Sequence, residues 1–150
     1  MAELPVPKPR ASSGLASEFY IAYQLYQRGY LGVVTYGNQK AVDLIAVRPR
    51  DGKTATLDVK SIKNRTNWPL TLRGAVPPGR HFYAFVSYMN QYEDPNTVPD
   101  VWIVPARDLK GLLKPWSRAS KKQTCVPFRD LNTPANRKRY VNRWHRLFGR

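Results

Sequence analysis

The sequence predicts an α/β domain, on three observations. A stretch with helical periodicity, GLASEFYIAYQLYQRG, comes first. Two short apolar segments separated by turn residues follow, AVDLIAV at 41–47 and KTATLDVK at 53–60, and then two further apolar runs, HFYAFVSY at 81–88 and VWIVP at 101–105. A helix followed by β-branched runs is the pattern of helices covering a sheet. A chain of 150 residues buries about two thirds of the surface it exposes when unfolded, so one domain with one core is the expectation.

Each element has its own justification. Residues 1–11, with three prolines, Lys8 and Arg10, read as a flexible arm. Ser12 or Ser13 supplies an N-cap for the helix and Gly29 a C-cap. Steps of three, four and three give an inner stripe of Leu15, Glu18, Ala22 and Leu25, one member of which is charged. YLGVVTYGNQK reads as a strand and a turn, and RPRDG turns the next two strands into a hairpin. With that turn centred between Arg50 and Asp51, Asp43 falls opposite Asp58. Lys60, two residues on, shares their face. Segment 61–80 reads as a long polar, proline-broken connection carrying Lys63, Arg65, Trp68, Arg73 and Arg80. ARDLKGLL is a short helix. Thr133 and Pro134 then open a basic C-terminal helix through ANRKRYVNRWHRLFG, with Tyr140, Trp144, Leu147 and Phe148 on one side and arginines on the other. The organisation is an arm (1–11), a core (12–105) and a basic extension (106–150).

Charge narrows the partners. The chain holds 25 Lys and Arg against 10 Asp and Glu, a net +15, and residues 106–150 carry +11 of it. Such an excess suits a polyanion, and its interleaving with Trp and Tyr favours nucleic acid over an anionic membrane. No apolar run approaches the roughly 18 residues of a membrane span, and the N-terminal stretch has no signal-peptide core. Cys125 is the only cysteine, which excludes an internal disulfide and a thiol zinc site. A cytoplasmic setting is expected.

The two aspartates carry the chemistry. Like charges facing each other on a sheet are destabilising, and desolvating a carboxylate costs several kcal/mol, on the order of what a salt bridge must repay. Lys60 alone could bridge them. Glu18, on the inward stripe of the preceding helix, adds a third acid and leaves surplus negative charge, which a divalent cation offsets. Oxygen ligands without nearby His or Cys favour Mg²⁺ or Mn²⁺ over zinc.

Glu18 on the first helix, Asp43 in the first hairpin strand and Asp58-Val59-Lys60 in the second resemble the PD-(D/E)XK nuclease superfamily in order, spacing and element type. Val42 stands where the family's name has proline. The resemblance covers about residues 12–105, and the helix motif Gly14-Leu15-Ala16-Ser17-Glu18 is similar to that of Holliday junction resolvases; small restriction and homing endonucleases share the same core. The resemblance implies a mixed sheet flanked by helices and a metal-dependent DNA endonuclease, site-specific or structure-specific. Asp43 and Asp58 would bind Mg²⁺ (or Mn²⁺) directly, the Val59 carbonyl would complete the shell, and Glu18 would assist. Lys60 would orient the attacking water and stabilise developing charge. DNA would be held by Lys63, Arg65, Trp68 and Arg73 and by Arg137, Lys138, Arg139, Arg143 and Arg146 of the tail. A homodimer or higher assembly is expected, because one small monomer rarely cuts both strands of a duplex. Gln39, Lys40 and Ser61 flank the motif; His81 and His145 read as packing or phosphate contacts; Tyr20, Tyr23 and Tyr26 read as covering the core or an interface. Two other classes remain: a non-catalytic basic nucleic-acid-binding module on the same fold, and a basic structural protein of a ribonucleoprotein.

Overall fold

A computed structural model describes residues 12–36, 42–72, 79–119 and 122–149. The fold is mixed α/β, with a mixed sheet flanked by helices. Helix α1 (Ser12–Gln27) starts at the expected serines, and its end is a glycine cap. Gly29 takes a left-handed φ of 79°, Tyr30 N–H donates to the Leu25 carbonyl and Gly29 N–H to that of Tyr26, the paired bonds of a Schellman motif. The buried stripe differs from expectation: Ser17, Ile21, Ala22 and Leu25 are buried, while Leu15 is 48% exposed. The Ser17 hydroxyl makes that rotation tolerable, because it donates to the Ser13 carbonyl (2.6 Å) and shares a hydrogen bond with the Tyr88 hydroxyl (2.8 Å).

Strands β1 (Leu31–Val34), β2 (Leu44–Val47) and β3 (Thr54–Ile62) form an antiparallel meander. β4 (Asn67–Pro69) leaves it, and β5 (His81–Ser87) returns parallel to β3, followed by antiparallel β6 (Asp100–Pro105). The sheet order is β1-β2-β3-β5-β6. β5 is buried along its whole length, as a central strand covered on both faces must be. The β2–β3 turn is held by Arg48, which donates to both carboxylate oxygens of Asp51 (3.0 and 2.7 Å); that bond pulls the Asp51 carboxyl down to a pKa of about 2. α1 approaches β1 so closely that a Cβ on Gly32 would lie 3.0 Å from the Ala22 Cα.

One face of the sheet, through Leu44, Ala46, Leu57, Val59, Phe82 and Ala84, packs on Ile21, Ala22 and Leu25 of α1. The other face, through Tyr83, Phe85, Trp102 and Val104, packs on a second layer. That layer comprises α2 (Ala106–Leu109), the short strands β7 (Lys114–Pro115) and β8 (Thr124–Pro127), α3 (Phe128–Leu131) and α4 (Pro134–Tyr140), with β4 completing a three-stranded sheet in the order β4-β8-β7. The segment 61–80 is therefore not one long connection: residues 61–62 extend β3, and 67–69 are paired with β8.

The C-terminal helix opens as expected, with the Thr133 hydroxyl accepting from Asn136 N–H (3.2 Å) and Pro134 in the first turn. It does not continue to residue 148. After Tyr140, Val141 makes a single antiparallel bridge to Trp102, Asn142 takes φ of 53° and donates to the Val101 carbonyl, and a short 3₁₀ helix covers Trp144–Leu147. The chain crosses the β6 edge there. Tyr140 is consequently buried on one face, and Trp144, Leu147 and Phe148 on the other. Residues of 106–119 and 122–149 thus contribute to both cores. Among the described residues no helix is long and apolar enough to cross a membrane.

Candidate active site

The hairpin register has the expected sum: Leu44 pairs with Leu57 and Val47 with Thr54. Leu44 and Leu57 face α1, so the residues beyond them turn to the opposite face. The ladder then changes. Asp43 N–H donates to the Leu57 carbonyl (3.0 Å), and Asp43 Oδ2 accepts from the Val59 backbone N–H (2.7 Å). Thr35, just past β1, donates from its N–H (3.0 Å) and its hydroxyl (3.1 Å) to the Asp43 carbonyl, and its hydroxyl also reaches the Val42 carbonyl. Asp43 is thereby fixed from both neighbouring strands against the tripeptide Asp58-Val59-Lys60. The Thr35 clamp had no signal in the sequence beyond a polar residue after a strand.

Asp58 and Lys60 alternate with buried Leu57 and Val59, so they share the face away from α1 and sit laterally beside Tyr83 and Phe85 of β5. Asp58 has a neighbour that sequence reasoning assigned to packing or phosphate. His81 Nε2 lies 3.3 Å from Asp58 Oδ2, with the ring 1% exposed and the carboxylate 24%. The separation is that of an ion pair, but the angle is not that of a hydrogen bond, and Nε2 makes none. Nδ1 is engaged by the Thr56 hydroxyl at 2.8 Å. Burial, and secondarily the Asp58 charge, raises the Tyr83 phenol pKa.

Glu18 falls between Ala22 and Leu25 around the helix, so it does point toward the sheet. Its helix, however, covers the Leu57 face, whereas Asp58 and Lys60 project from the other. Among the described residues no three His, Cys, Asp or Glu side chains gather at metal-binding spacing. The residues brought together are Asp43, Val59, Asp58 and Lys60, with Thr56 and His81 behind them. A carboxylate just before β2 and another on β3 are an all-oxygen donor set of the kind a hard divalent cation takes. Val59 contributes visibly through its N–H, which orients Asp43.

The expected nucleic-acid contacts divide. Trp68 is a correction: it is fully buried, donates from Nε1 to the Val86 carbonyl (3.0 Å) and packs on Phe85, Trp102 and Phe128. It cannot stack on a base. Lys63, over the Tyr92 ring at 4.6 Å, and Arg65 are exposed beyond the end of β3. Arg137 is engaged internally by Asp100 (3.1 Å) and Asn132 (2.9 Å) and lies over the Trp102 ring. Lys138 and Arg139 are exposed, Arg139 reaching Asp108 (3.3 Å); Arg143 Nε donates to the Lys138 carbonyl (2.9 Å), and Arg146 is half-buried. Ser61 is a half-buried residue of β3, and Tyr23 and Tyr26 are exposed on α1. Arg73, Gln39, Lys40 and the arm 1–11 lie outside the described residues.

Asp43→Asn tests the repulsion across the hairpin. The amide oxygen can still accept from Val59 N–H, while one of the two negative charges flanking Val59 is removed, so on the repulsion expectation the metal-free variant melts at or above the wild-type temperature. Millimolar Mg²⁺ or Ca²⁺ is expected to stabilise the wild type, by about 1.4 kcal/mol at roughly ten times Kd, and to leave the variant almost unchanged. A variant that melts lower, with neither protein responding to divalent ions in calorimetry, would make both aspartates structural.

No family model matches this sequence, no curated protein matches it, and no solved structure matches its fold.

Proposed function

We propose that this protein is a metal-dependent DNA endonuclease with a PD-(D/E)XK-type core. The observation that supports this reading most is the Val59 N–H bond to Asp43 (2.7 Å), which fastens one carboxylate beside the strand that presents Asp58 and Lys60 together. Asp43 and Asp58 would hold Mg²⁺ or Mn²⁺. When bound, such an ion lowers the pKa of a coordinated water and neutralises charge on the scissile phosphate. Lys60 places its ammonium on the same face, where it can orient water toward phosphorus and stabilise the charge that develops as the bond to the 3′ oxygen breaks. Thr35 and Val59 restrict Asp43, so this carboxylate is positioned before substrate arrives. Glu18 acts, on this reading, only through groups that bridge from α1. Two copies acting together would cut both strands of a duplex.

A non-catalytic DNA-binding module is the second reading, favoured by the absence of a three-carboxylate cluster among the described residues. Incubating linear duplex, four-way branched and single-stranded DNA with the protein in Mg²⁺, in Mn²⁺ and in EDTA separates the two. Cleavage with Mg²⁺ or Mn²⁺ and none in EDTA is the expected result. Binding without cleavage of any substrate would favour the module, and neither binding nor cleavage would remove both readings.

A further inference from the structure

We infer that the DNA backbone is gripped at the end of the sheet where β5 begins and β6 ends, by a basic groove that includes Arg50, Arg107 and Arg146; this rests on the DNA-binding reading above. Three concavities adjoin there. The first, of about 390 Å³, is lined by Arg80, His81, Pro105 and Arg107 among others. The second shares Arg80, Phe82, Pro105 and Arg107 with it and adds His145 and Arg146. The third, of about 470 Å³, continues from His145 and Gly149 to Tyr30, Arg48 and Arg50. No carboxylate lines any of them among the described residues. A concave surface of one sign focuses the field and attracts a polyanion.

The arginines are not equivalent. Arg80 is a strap: Nε donates to the Leu147 carbonyl (2.7 Å) and Nη2 to that of Arg146 (2.8 Å), which holds the C-terminal segment against β5. Arg48 is paired with Asp51. Arg107 has an 83% exposed side chain and stands 3.9 Å from Asp108, a carboxylate already engaged by the Tyr140 hydroxyl (2.9 Å) and Arg139. Arg50 is exposed in the β2–β3 turn. Arg50, Arg107 and Arg146 are therefore the groups for phosphate. The groove adjoins the candidate site through His81, which lines it and whose buried ring lies against Asp58. Lys63 and Arg65 sit past the opposite end of β3. A duplex held in the groove thus approaches Asp58 from the β5 start.

The test is duplex binding by fluorescence anisotropy in Ca²⁺ across a salt series, with Arg107→Gln/Arg146→Gln and, separately, Arg50→Gln/Arg107→Gln compared with Lys63→Gln/Arg65→Gln. Each groove pair should bind about tenfold more weakly at low salt, with a log–log salt slope shallower by about 1.8. The Lys63/Arg65 pair should lose less affinity than either groove pair. Both groove pairs at wild-type affinity and slope, with loss only in the Lys63/Arg65 pair, would overturn the groove and leave the nuclease reading standing. Wild-type protein that binds no duplex would overturn the DNA-binding reading and the groove together. Unchanged circular dichroism in the variants separates lost contacts from lost fold.

Discussion

Lys60→Ala and Asp58→Ala are each expected to reduce Mg²⁺-dependent DNA cleavage by about three orders of magnitude, while duplex affinity stays within about threefold of wild type. On the nuclease reading the two effects separate because the chemistry and the affinity would sit in different places. Lys60 and Asp58 project from neighbouring positions of one face of β3, whereas the basic groove lies at the sheet end. Deleting Lys60 removes the ammonium that β3 carries two residues from Asp58 on the same face. Deleting Asp58 also leaves His81 Nε2, which is buried and makes no hydrogen bond, without its facing carboxylate, so Asp58→Asn is the variant to pair with it. Both should lose cleavage, and Asn should keep the wild-type melting temperature more closely than Ala. Single-turnover rates with saturating enzyme make the comparison independent of binding. A Lys60→Ala protein that still cuts within tenfold of wild type would remove the residue from the reaction.

The hairpin was legible because a four-residue turn with Asp-Gly fixes the register, which pairs Leu44 with Leu57 and Val47 with Thr54. What followed Leu44–Leu57 was not: the shift of Asp43 N–H to the Leu57 carbonyl depends on Thr35 reaching across from β1. Helix α1 was found, but its stripe was misplaced by one hydroxyl, since Ser17 reads as a surface residue until Tyr88, distant in sequence, receives it. The second layer escaped for a related reason. Strands of two to four residues, such as β4, β7 and β8, are too short to show periodicity and exist through non-local pairing. The C-terminal helix looked continuous because Tyr140, Trp144, Leu147 and Phe148 keep helical spacing, yet the bridge from Val141 to Trp102 uses that spacing to send Tyr140 to one core and the others to the opposite one. The groove could not be read at all, since Arg50, Arg107 and Arg146 come from the β2–β3 turn, α2 and the C-terminal 3₁₀ helix.

Trp68→Ala is expected to destabilise the fold by about 3–5 kcal/mol, the range for removing a fully buried Trp or Phe side chain from a core. The indole is fully buried, wedged between the second-layer sheet and the main sheet, with ring centroids 5.3 Å from Phe85, 5.5 Å from Trp102 and 5.8 Å from Phe128. It is thus the central contact through which β4 and β8 are held over β5 and β6. A domain of this size is stabilised by about 5–15 kcal/mol in total, so the variant keeps only a fraction of its stability and should melt roughly 6–20 °C lower. Trp68→Phe keeps most of the apolar volume and loses the hydrogen bond to the Val86 carbonyl, which costs about 1 kcal/mol plus a small cavity. DNA binding discriminates the core role from a stacking one. Trp68→Phe, folded at low temperature, should bind duplex and single-stranded DNA as the wild type does, because the indole has no exposed face to offer a base. A Trp68→Ala protein that melts within about 2 °C of wild type but loses single-stranded DNA affinity would put the side chain on the surface and return it to the nucleic-acid interface.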